Sequence, residues 1–285
     1  MQTVEPQPIQ TPSTGLSLVV AAPTIDDAQL RWLDGFRWTP EAAGLGTISG
    51  LACGAVDSRD TDSLGQPDPL EFEPFLLWVA EKCSTKARAR DWQGRARRAL
   101  LAEQSFLIAR EFWSGAATGL DGNLHLAAYD SATVLTSGAV SATVALTLVD
   151  SALTRQLRNR RGMVHARPEL VDIWTAARLL RIEGGVTLTP LGHIVVADAG
   201  YTGDGPRPAA NQAPTAADGS SQWVYGTDLI SLRLGPAETL PASAGDADAI
   251  VRPTNDLIVW AQRPAAYQWD HTAHVAAEVS QGALV

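Results

Sequence analysis

The chain's strongest helical signal is DWQGRARRALLAEQSFLIAREFW, from Asp91 to Trp113. The Asp91 carboxylate can cap the N-terminus, and Gly115 can end the helix in a left-handed turn. Apolar side chains recur at helical spacing on one face, at Leu100, Leu101, Leu107, Ile108 and Phe112. At 1.5 Å per residue such a helix is roughly 34 Å long, which is longer than most helices in globular proteins. This length is typical of a helix that forms the backbone of a flat domain.

Mixed helices and strands follow the long helix. A second helix is predicted over about 141–158, and Pro168 is well placed to start a third, which should end near Leu180. The intervening GMVHA, residues 162–166, is typical of a short buried strand. Further strands are expected at 185–189, 193–197, 223–225, 230–234, 256–263 and 266–279. The predicted fold class is therefore α+β.

Extended segments precede the long helix. Pro6, Pro8 and Pro12 exclude a helix or a central strand over the first fifteen residues, so an arm is expected there. Residues 25–50 carry apolar anchors among Gly and Pro and are expected to be an irregular segment that docks through its aromatic side chains. Residues 57–69 have the composition of a loop or hairpin tip. The run LEFEPFLLWV, residues 70–79, is typical of a strand.

Composition narrows the class of protein. The 285 residues carry a formal net charge of −9, which disfavours a protein whose main task is gripping nucleic acid. The two cysteines, Cys53 and Cys83, are too few for a secreted disulfide scaffold and are expected to be reduced. The start of the chain has no signal-peptide pattern, and Leu16 to Ala22 is too short an apolar run to cross a bilayer.

No catalytic motif stands out, and neither a P-loop nor a G-x-S-x-G elbow is present. Glu71 and Glu73 should share one face of a strand and could form a carboxylate pair, although exposed strand charges are commoner. His271 and His274 are expected to lie on a strand and to face opposite sides of it, so no metal site is expected. His165, in an apolar strand, is expected to be a hydrogen-bonded buried histidine. We therefore predict no catalytic residue, no cofactor and no metal.

Basic residues cluster on both sides of the helix start, at Lys82, Lys86, Arg88, Arg90, Arg95, Arg97 and Arg98. They could contact nucleic acid, form a solvated helix face, or pair with carboxylates of a neighbouring subunit. Pairing between subunits is favoured because aromatic residues that could stack on bases are sparse there. The residues we expect to act in assembly are Trp32, Phe36, Trp38, Arg95 and Arg98.

Three groups of segments resemble the major capsid proteins of tailed bacteriophages, the Hong Kong 97-like family. EPFLLWVAEKC, residues 73–83, leads into the long helix as the corresponding segments do in capsid proteins of actinobacterial phages. RGMVHARP, 161–168, and LTPLGHIVV, 188–196, are similar to the strand–helix–strand order of that family's axial domain. WVYGTD, 223–228, and WAQRPAAY, 260–267, resemble its last strands.

The resemblance implies a division of the chain into structural units. These are an N-terminal arm (1–50), an extended loop (51–86), a peripheral domain with the spine helix (87–138), the axial domain (139–240) and further peripheral strands (241–285). It also implies a structural subunit of an icosahedral head, located in the virion and made in the host cytoplasm. Its implied partners are copies of itself in hexamers and pentamers, a separate scaffold, portal or decoration protein, and double-stranded DNA enclosed without sequence-specific binding. No membrane is implied.

Two alternative functions remain open. One is an encapsulin-type compartment shell of the same fold. The other, from a different class, is a β-rich carbohydrate-active hydrolase that would use Glu71 and Glu73.

Covalent locking of the shell is not expected. In some members of the family, a lysine on the extended loop forms an isopeptide bond with an asparagine of a neighbour. The chain has two lysines, Lys82 and Lys86, and both lie at the base of the expected loop. By family position the nearest candidate for that asparagine is Asn255, and nothing in the sequence indicates that it would meet either lysine.

Overall fold

A computed structural model describes 15–16, 36–38, 70–84, 91–115, 118, 123–127, 132–208, 214–217, 220–240, 250–251 and 256–280. Three helices lie in these ranges: α1 (Trp92–Ser114), α2 (Ala142–Gln156) and α3 (Pro168–Ala176). The strands before α2 are β1 (Phe36–Trp38), β2 (Leu70–Phe72), β3 (Phe75–Ser84) and β4 (Thr133–Val134). Those up to residue 227 are β5 (Met163–Ala166), β6 (Arg181–Glu183), β7 (Val186–Leu188), β8 (Ile194–Ala197) and β9 (Ser221–Thr227). The last five are β10 (Ser231–Leu234), β11 (Glu238–Leu240), β12 (Ile250–Val251), β13 (Asp256–Gln268) and β14 (His274–Ser280).

Helix α1 begins and ends where the sequence predicts. The Asp91 side chain accepts a 2.8 Å hydrogen bond from the Gly94 amide, and Gly115 closes the helix at φ 64°. The helix buries Leu100, Ile108, Phe112 and other apolar residues in the larger of two cores. Leu101, by contrast, stays exposed at the solvent side of the helix.

A five-stranded antiparallel sheet lies along α1 and is organised by β13. One edge of β13 pairs with β3 over ten residues, from Ser84 opposite Asp256 to Phe75 opposite Ala265. Its other edge pairs with β10, β11 and β12. The expected break between 256–263 and 266–279 was wrong, because β13 continues through Pro264 to Gln268. The Pro264 carbonyl still accepts a hydrogen bond from the Gly235 amide, and the true break follows at 269–273.

The second sheet has seven strands in the order β4-β14-β9-β5-β8-β7-β6. Helices α2 and α3 cover it and bury Leu146, Val149, Leu153 and Trp174 in the smaller core. Ser141 caps α2 by accepting from the Val144 amide. Helix α3 starts at Pro168 as predicted but ends at Ala176, before the expected Leu180, because Arg178 takes a left-handed φ of 58°.

Three strands belong to a different sheet from the one that the expected peripheral and axial units imply. Strands β10 and β11 lie within the expected axial range, yet they pair with β13 in the five-stranded sheet. Strand β14 was expected among the peripheral strands, yet it pairs with β9 in the seven-stranded sheet. The chain therefore crosses between the two sheets after β3, after β9 and again after β13. Sequence periodicity does not encode which sheet a strand joins.

Candidate functional site

Two of the three aromatic arm residues expected to act in assembly belong to a short two-stranded ribbon, formed by β1 and β2. Phe36 and Trp38 belong to β1, which pairs antiparallel with β2, so that Phe36 lies opposite Phe72 and Trp38 opposite Leu70. Between them, exposed Arg37 forms an ion pair with Glu71. Trp32 lies outside the described residues. The segment 25–50, expected to be irregular, thus contributes at least one strand, and its partner comes from the expected extended loop.

The two arginines expected to pair with a neighbouring subunit have partners within their own chain. Arg95 lies 3.7 Å from Glu81 of β3 and stacks over the Trp92 ring at 5.3 Å. Arg98 lies 3.6 Å from Asp91, the residue that caps the same helix. The Arg98–Asp91 pair is exposed, and such pairs contribute about 0–1 kcal/mol, so the Arg98 guanidinium can exchange its partner at little cost. The Arg95–Glu81 pair is half-buried.

The arm is fixed to the body at Leu16, a contact that the sequence did not reveal. Leu16 is fully buried, and its amide donates a 2.8 Å hydrogen bond to Oδ2 of Asp198. The same oxygen accepts a 2.8 Å bond from the Ser105 hydroxyl of α1, and the other carboxylate oxygen accepts one from the Gly200 amide. Gly15 has φ 126° and passes so close to Ser105 and Asp198 that a Cβ would overlap both. One buried carboxylate therefore joins the arm, the spine helix and the β8 end of the seven-stranded sheet.

An apolar surface lies on the face of the five-stranded sheet that points away from α1. Leu77, opposite Arg263, faces the helix, whereas Leu76 and Trp78 on the other face are 50% and 59% exposed. Leu240 of β11 is 41% exposed and lies opposite Trp260, which is itself paired with Ala80 beside Trp78. A solvated sheet face is normally polar, so exposed apolar residues here mark an interaction surface. The sequence signal that could have revealed this surface is the unbroken apolar run FLLWVA, residues 75–80, because only one face of a strand can pack on α1.

The two carboxylates of the hydrolase alternative do not form a site. Strand β2 ends at Phe72, so Glu73 lies outside it, and both side chains are exposed. Glu71 is engaged by Arg37, while the backbone of Glu73 exchanges hydrogen bonds with the Asn123 side chain at 2.8 and 2.9 Å. Glycoside hydrolysis needs two carboxyl groups that face each other across a substrate. The pair therefore gives no support to the hydrolase alternative.

A Thr–His–Asp cluster under α2 resembles a catalytic triad in composition but not in hydrogen bonding. The Gly162 amide donates to His193 Nδ1 at 2.9 Å, so the ring proton lies on Nε2 and points to Thr154 Oγ1 at 3.0 Å. A base must present a bare nitrogen to the nucleophile. The nearer carboxylate oxygen of Asp150 lies 4.0 Å from the same Nε2. The Asp150 carboxylate accepts hydrogen bonds from the Thr189 hydroxyl and the Leu191 amide. The cluster fastens α2 to the β7–β8 turn.

The interpretation of the two C-terminal histidines was wrong in its geometry. His271 lies in the turn before β14 with φ 59°, and its ring centroid is 5.3 Å from that of His274. The rings therefore do converge, although no group of three or more His, Cys, Asp or Glu able to hold a metal occurs among the described residues. The expectation for His165 was confirmed: Nδ1 lies 2.9 Å from Tyr201 Oη and Nε2 lies 2.8 Å from Thr227 Oγ1. Burial lowers the pKa of His165 to about 3.

The remaining sequence features are placed only in part. Lys82 lies on β3 opposite Ile258 with an exposed side chain, whereas Lys86, Cys53 and Asn255 fall outside the described residues. No helix in the described part of the chain has the length and hydropathy needed to cross a membrane.

No family model and no curated protein sequence matches this chain. Solved structures, however, match it over nearly its whole length. The capsid of an empty GTA particle is 14% identical, with a TM-score of 0.51, over 97% of this chain and 95% of that one. The capsid of Ralstonia phage GP4 gives 11% identity and a TM-score of 0.52 over 98% and 94% of the two chains. The SrpI encapsulin complex from Synechococcus elongatus PCC 7942 gives 9% and 0.52 over 98% and 93%. At these identities the similarity establishes the fold.

Proposed function

We propose that this chain, whose fold is the Hong Kong 97-like shell fold, is a structural subunit of an icosahedral phage head. The observation that carries the proposal is the end-to-end match: 97–98% of this chain covers 93–95% of shell proteins from a GTA particle, a phage and an encapsulin. The role is architectural, and no catalytic step is assigned to it.

Copies of the chain would form hexamers and pentamers that close around the genome. The exposed Leu76, Trp78 and Leu240 supply apolar area that assembly can remove from water at about 25 cal/mol per Å². The ribbon that carries Phe36 and Trp38, together with Arg95 and Arg98, supplies further contacts between neighbours. A net charge of −9 suits a wall that encloses double-stranded DNA without gripping its sequence.

The division of the chain into arm, extended loop, peripheral domain and axial domain is consistent with a shell subunit when the two domains are defined by the two sheets. The arm, 1–50, and the extended loop, 51–86, would reach neighbouring subunits, while α1 and the five-stranded sheet form the peripheral wall. The seven-stranded sheet, largely within 139–240, would form the axial domain around each capsomer. A separate scaffold, portal or decoration protein would complete a virion whose subunits are made in the host cytoplasm.

Particle size tests the proposal directly. The purified chain, or virions that contain it, should give closed megadalton particles by electron microscopy and mass photometry, with this chain as the main wall component. A compact monomer with hydrolase activity and no particles under any assembly condition would contradict it.

A compartment shell of the encapsulin type is the second candidate, because the SrpI encapsulin complex matches this chain as fully as the phage capsid does. Particle contents separate the two. Nuclease-protected double-stranded DNA of uniform length supports a phage head. Protein cargo without protected DNA supports a compartment.

A further inference from the structure

Six exposed arginines lie at one end of the seven-stranded sheet. Strands β5 and β8 are parallel and both begin at this end. Helix α2 leads directly into β5, and the chain that leaves α3 reaches β6, which lies two strands from the start of β8. We call the group the basic end, and its members are Arg155, Arg158, Arg160, Arg161, Arg178 and Arg181.

Contacts between the connecting segments bring these arginines to one surface. The Ile194 amide donates a 2.9 Å hydrogen bond to the Gly162 carbonyl, so Arg161 lies beside the start of β8. Nη2 of Arg181 lies 3.3 Å from the point that a Cβ of Gly192 would occupy, in the turn that leads into the same strand. The loop after α2 and the start of β6 therefore meet at the β7–β8 turn.

Two members of the basic end occupy positions that favour glycine. Arg158 follows α2 with φ 52°, and Arg178 follows α3 with φ 58°. Both helices end in the same motif, in which the amide of the next residue, Asn159 or Leu179, donates a 2.9 Å hydrogen bond back to the helix. Glycine is the usual residue before that amide, because a side chain makes the left-handed conformation unfavourable. The sequence places arginine there in both helices.

None of the six arginines forms an ion pair within the described part of the chain. Asp150 is buried beside the β7–β8 turn, and its carboxylate is already hydrogen-bonded there. Exposed Glu183 shares β6 with Arg181 but does not pair with it. In the other basic cluster, by contrast, Arg95 and Arg98 have carboxylate partners on the same chain.

Helix dipoles account for only part of the basic end. The last carbonyls of α2 and α3 carry partial negative charge, which a cation near each helix end offsets. One arginine at each end supplies that cation, and it need not stand in the left-handed position. The remaining positive charges repel one another on a chain whose net charge is −9. A ligand with several negative charges would offset this repulsion.

We propose that the basic end is a contact surface for the phosphates of double-stranded DNA. The proposal rests on the proposed role of the chain as a shell around a genome. The guanidinium groups are spread over a loop, two helix ends and a strand, which suits a row of phosphates better than a single small anion. The segments 155–161 and 178–181 contain no aromatic residue on which a base could stack. Contact is therefore with the DNA backbone, which carries no sequence information.

Fluorescence anisotropy of a labelled duplex of about 20 bp, titrated with the unassembled full-length subunit at about 50–200 mM salt, measures this contact. The slope of log affinity against log salt falls by about 0.9 for each phosphate contact that is lost. Arg158→Gly combined with Arg178→Gly removes two charges and relieves both left-handed positions. This variant should bind at least about tenfold more weakly, with a slope smaller by roughly 1.8. In thermal unfolding it should be at least as stable as the wild type.

Two further double variants complete the test. Arg97→Gln combined with Arg110→Gln removes the same charge from exposed positions of α1 and should leave the slope unchanged. Arg160→Gln combined with Arg161→Gln lies outside the helix ends and should lower the slope as the glycine variant does. If the glycine variant is unstable, this second pair decides the matter.

Two results would overturn the DNA contact. One is an equal loss of binding in the α1 control, which would show that only total charge matters. The other is a wild-type subunit that binds poly-glutamate of matched charge as tightly as the duplex, which would assign the basic end to an acidic protein segment. Particle formation is measured separately by mass photometry. Particles without duplex binding by the subunit would overturn the contact and leave the shell intact, whereas duplex binding without particles would contradict the shell.

Discussion

The backbone amide of Leu16 donates a 2.8 Å hydrogen bond to the buried carboxylate of Asp198, 182 positions further along the chain. This bond makes Leu16 part of the subunit's own core. The contact is testable without any assembly assay.

Replacing Asp198 with Asn should destabilise the subunit by about 1–3 kcal/mol, because the amide keeps the size but loses the charge that Leu16, Ser105 and Gly200 donate to. Chemical denaturation measures the difference. Asp172→Asn, an exposed carboxylate on α3, is the matched control and should change stability by less than about 0.5 kcal/mol. Equal effects of the two changes would show that the anchor contributes nothing.

Stability should fall with acid through His165 in particular. Its folded-state pKa of about 3 lies below the unfolded value of 6.5, so its contribution is complete above pH 6.5 and is lost as the pH falls toward 3. Acidification to roughly pH 4.5 should cost about 2–3 kcal/mol from this residue. A His165→Gln chain should be less stable at pH 7 and show a shallower decline of unfolding free energy between pH 6.5 and 4.5. An unchanged slope would assign the acid sensitivity elsewhere.

Local signals in the sequence were sufficient for the helices but not for the contacts that organise them. Asp91, Gly115 and Pro168 act within four residues of their targets, and each was predicted in its role. The Leu16–Asp198 and Asp228–Thr272 bonds join residues 182 and 44 positions apart, and no periodicity encodes such pairs. The same holds for β14, whose alternation fits either sheet and whose place is set by its partner β9. The residues expected to act in assembly are an intermediate case. Their side-chain chemistry suggests contacts between subunits, but only the position of a neighbouring subunit defines which atoms they contact.

Trp78→Ser should abolish particles and leave the subunit folded. The side chain is 59% exposed on the sheet face away from α1, so its loss should change subunit stability by less than about 0.5 kcal/mol. Trp78→Phe, which retains an apolar ring, should still assemble. Thermal unfolding measures the stability of each variant subunit, and mass photometry counts the particles that each variant forms. Normal yields from the Ser variant would remove this face from the list of subunit contacts.

Two truncations separate the arm's two roles. Deleting residues 1–14 keeps Leu16 and should leave the subunit as stable as the full chain while weakening assembly. Deleting residues 1–40 also removes Leu16 and β1, so it should cost about 1.5–3 kcal/mol from the lost burial of Leu16, leave a soluble subunit and abolish particles. Particles of normal size and yield from the longer deletion would show that the arm has no part in assembly.

The shell should hold together without isopeptide bonds between subunits. Such a bond joins a lysine amine to an asparagine side chain of a neighbour, and the chain has two lysines to offer. Lys82 lies inside β3, paired with Ile258 in the sheet that packs on α1, and is therefore fixed to the body of the subunit rather than to a reaching loop tip. Lys86 and Asn255 lie outside the described residues. Lys86 is four positions from Lys82 and five from Asp91, the cap of α1, so the chain on either side of it limits how far it can extend.

Boiled particles on a reducing, denaturing gel should give one band near 30.2 kDa. A ladder of pentamers and hexamers that disappears when Lys82 and Lys86 are both changed to Arg would contradict this, since Arg keeps the charge but cannot form the bond.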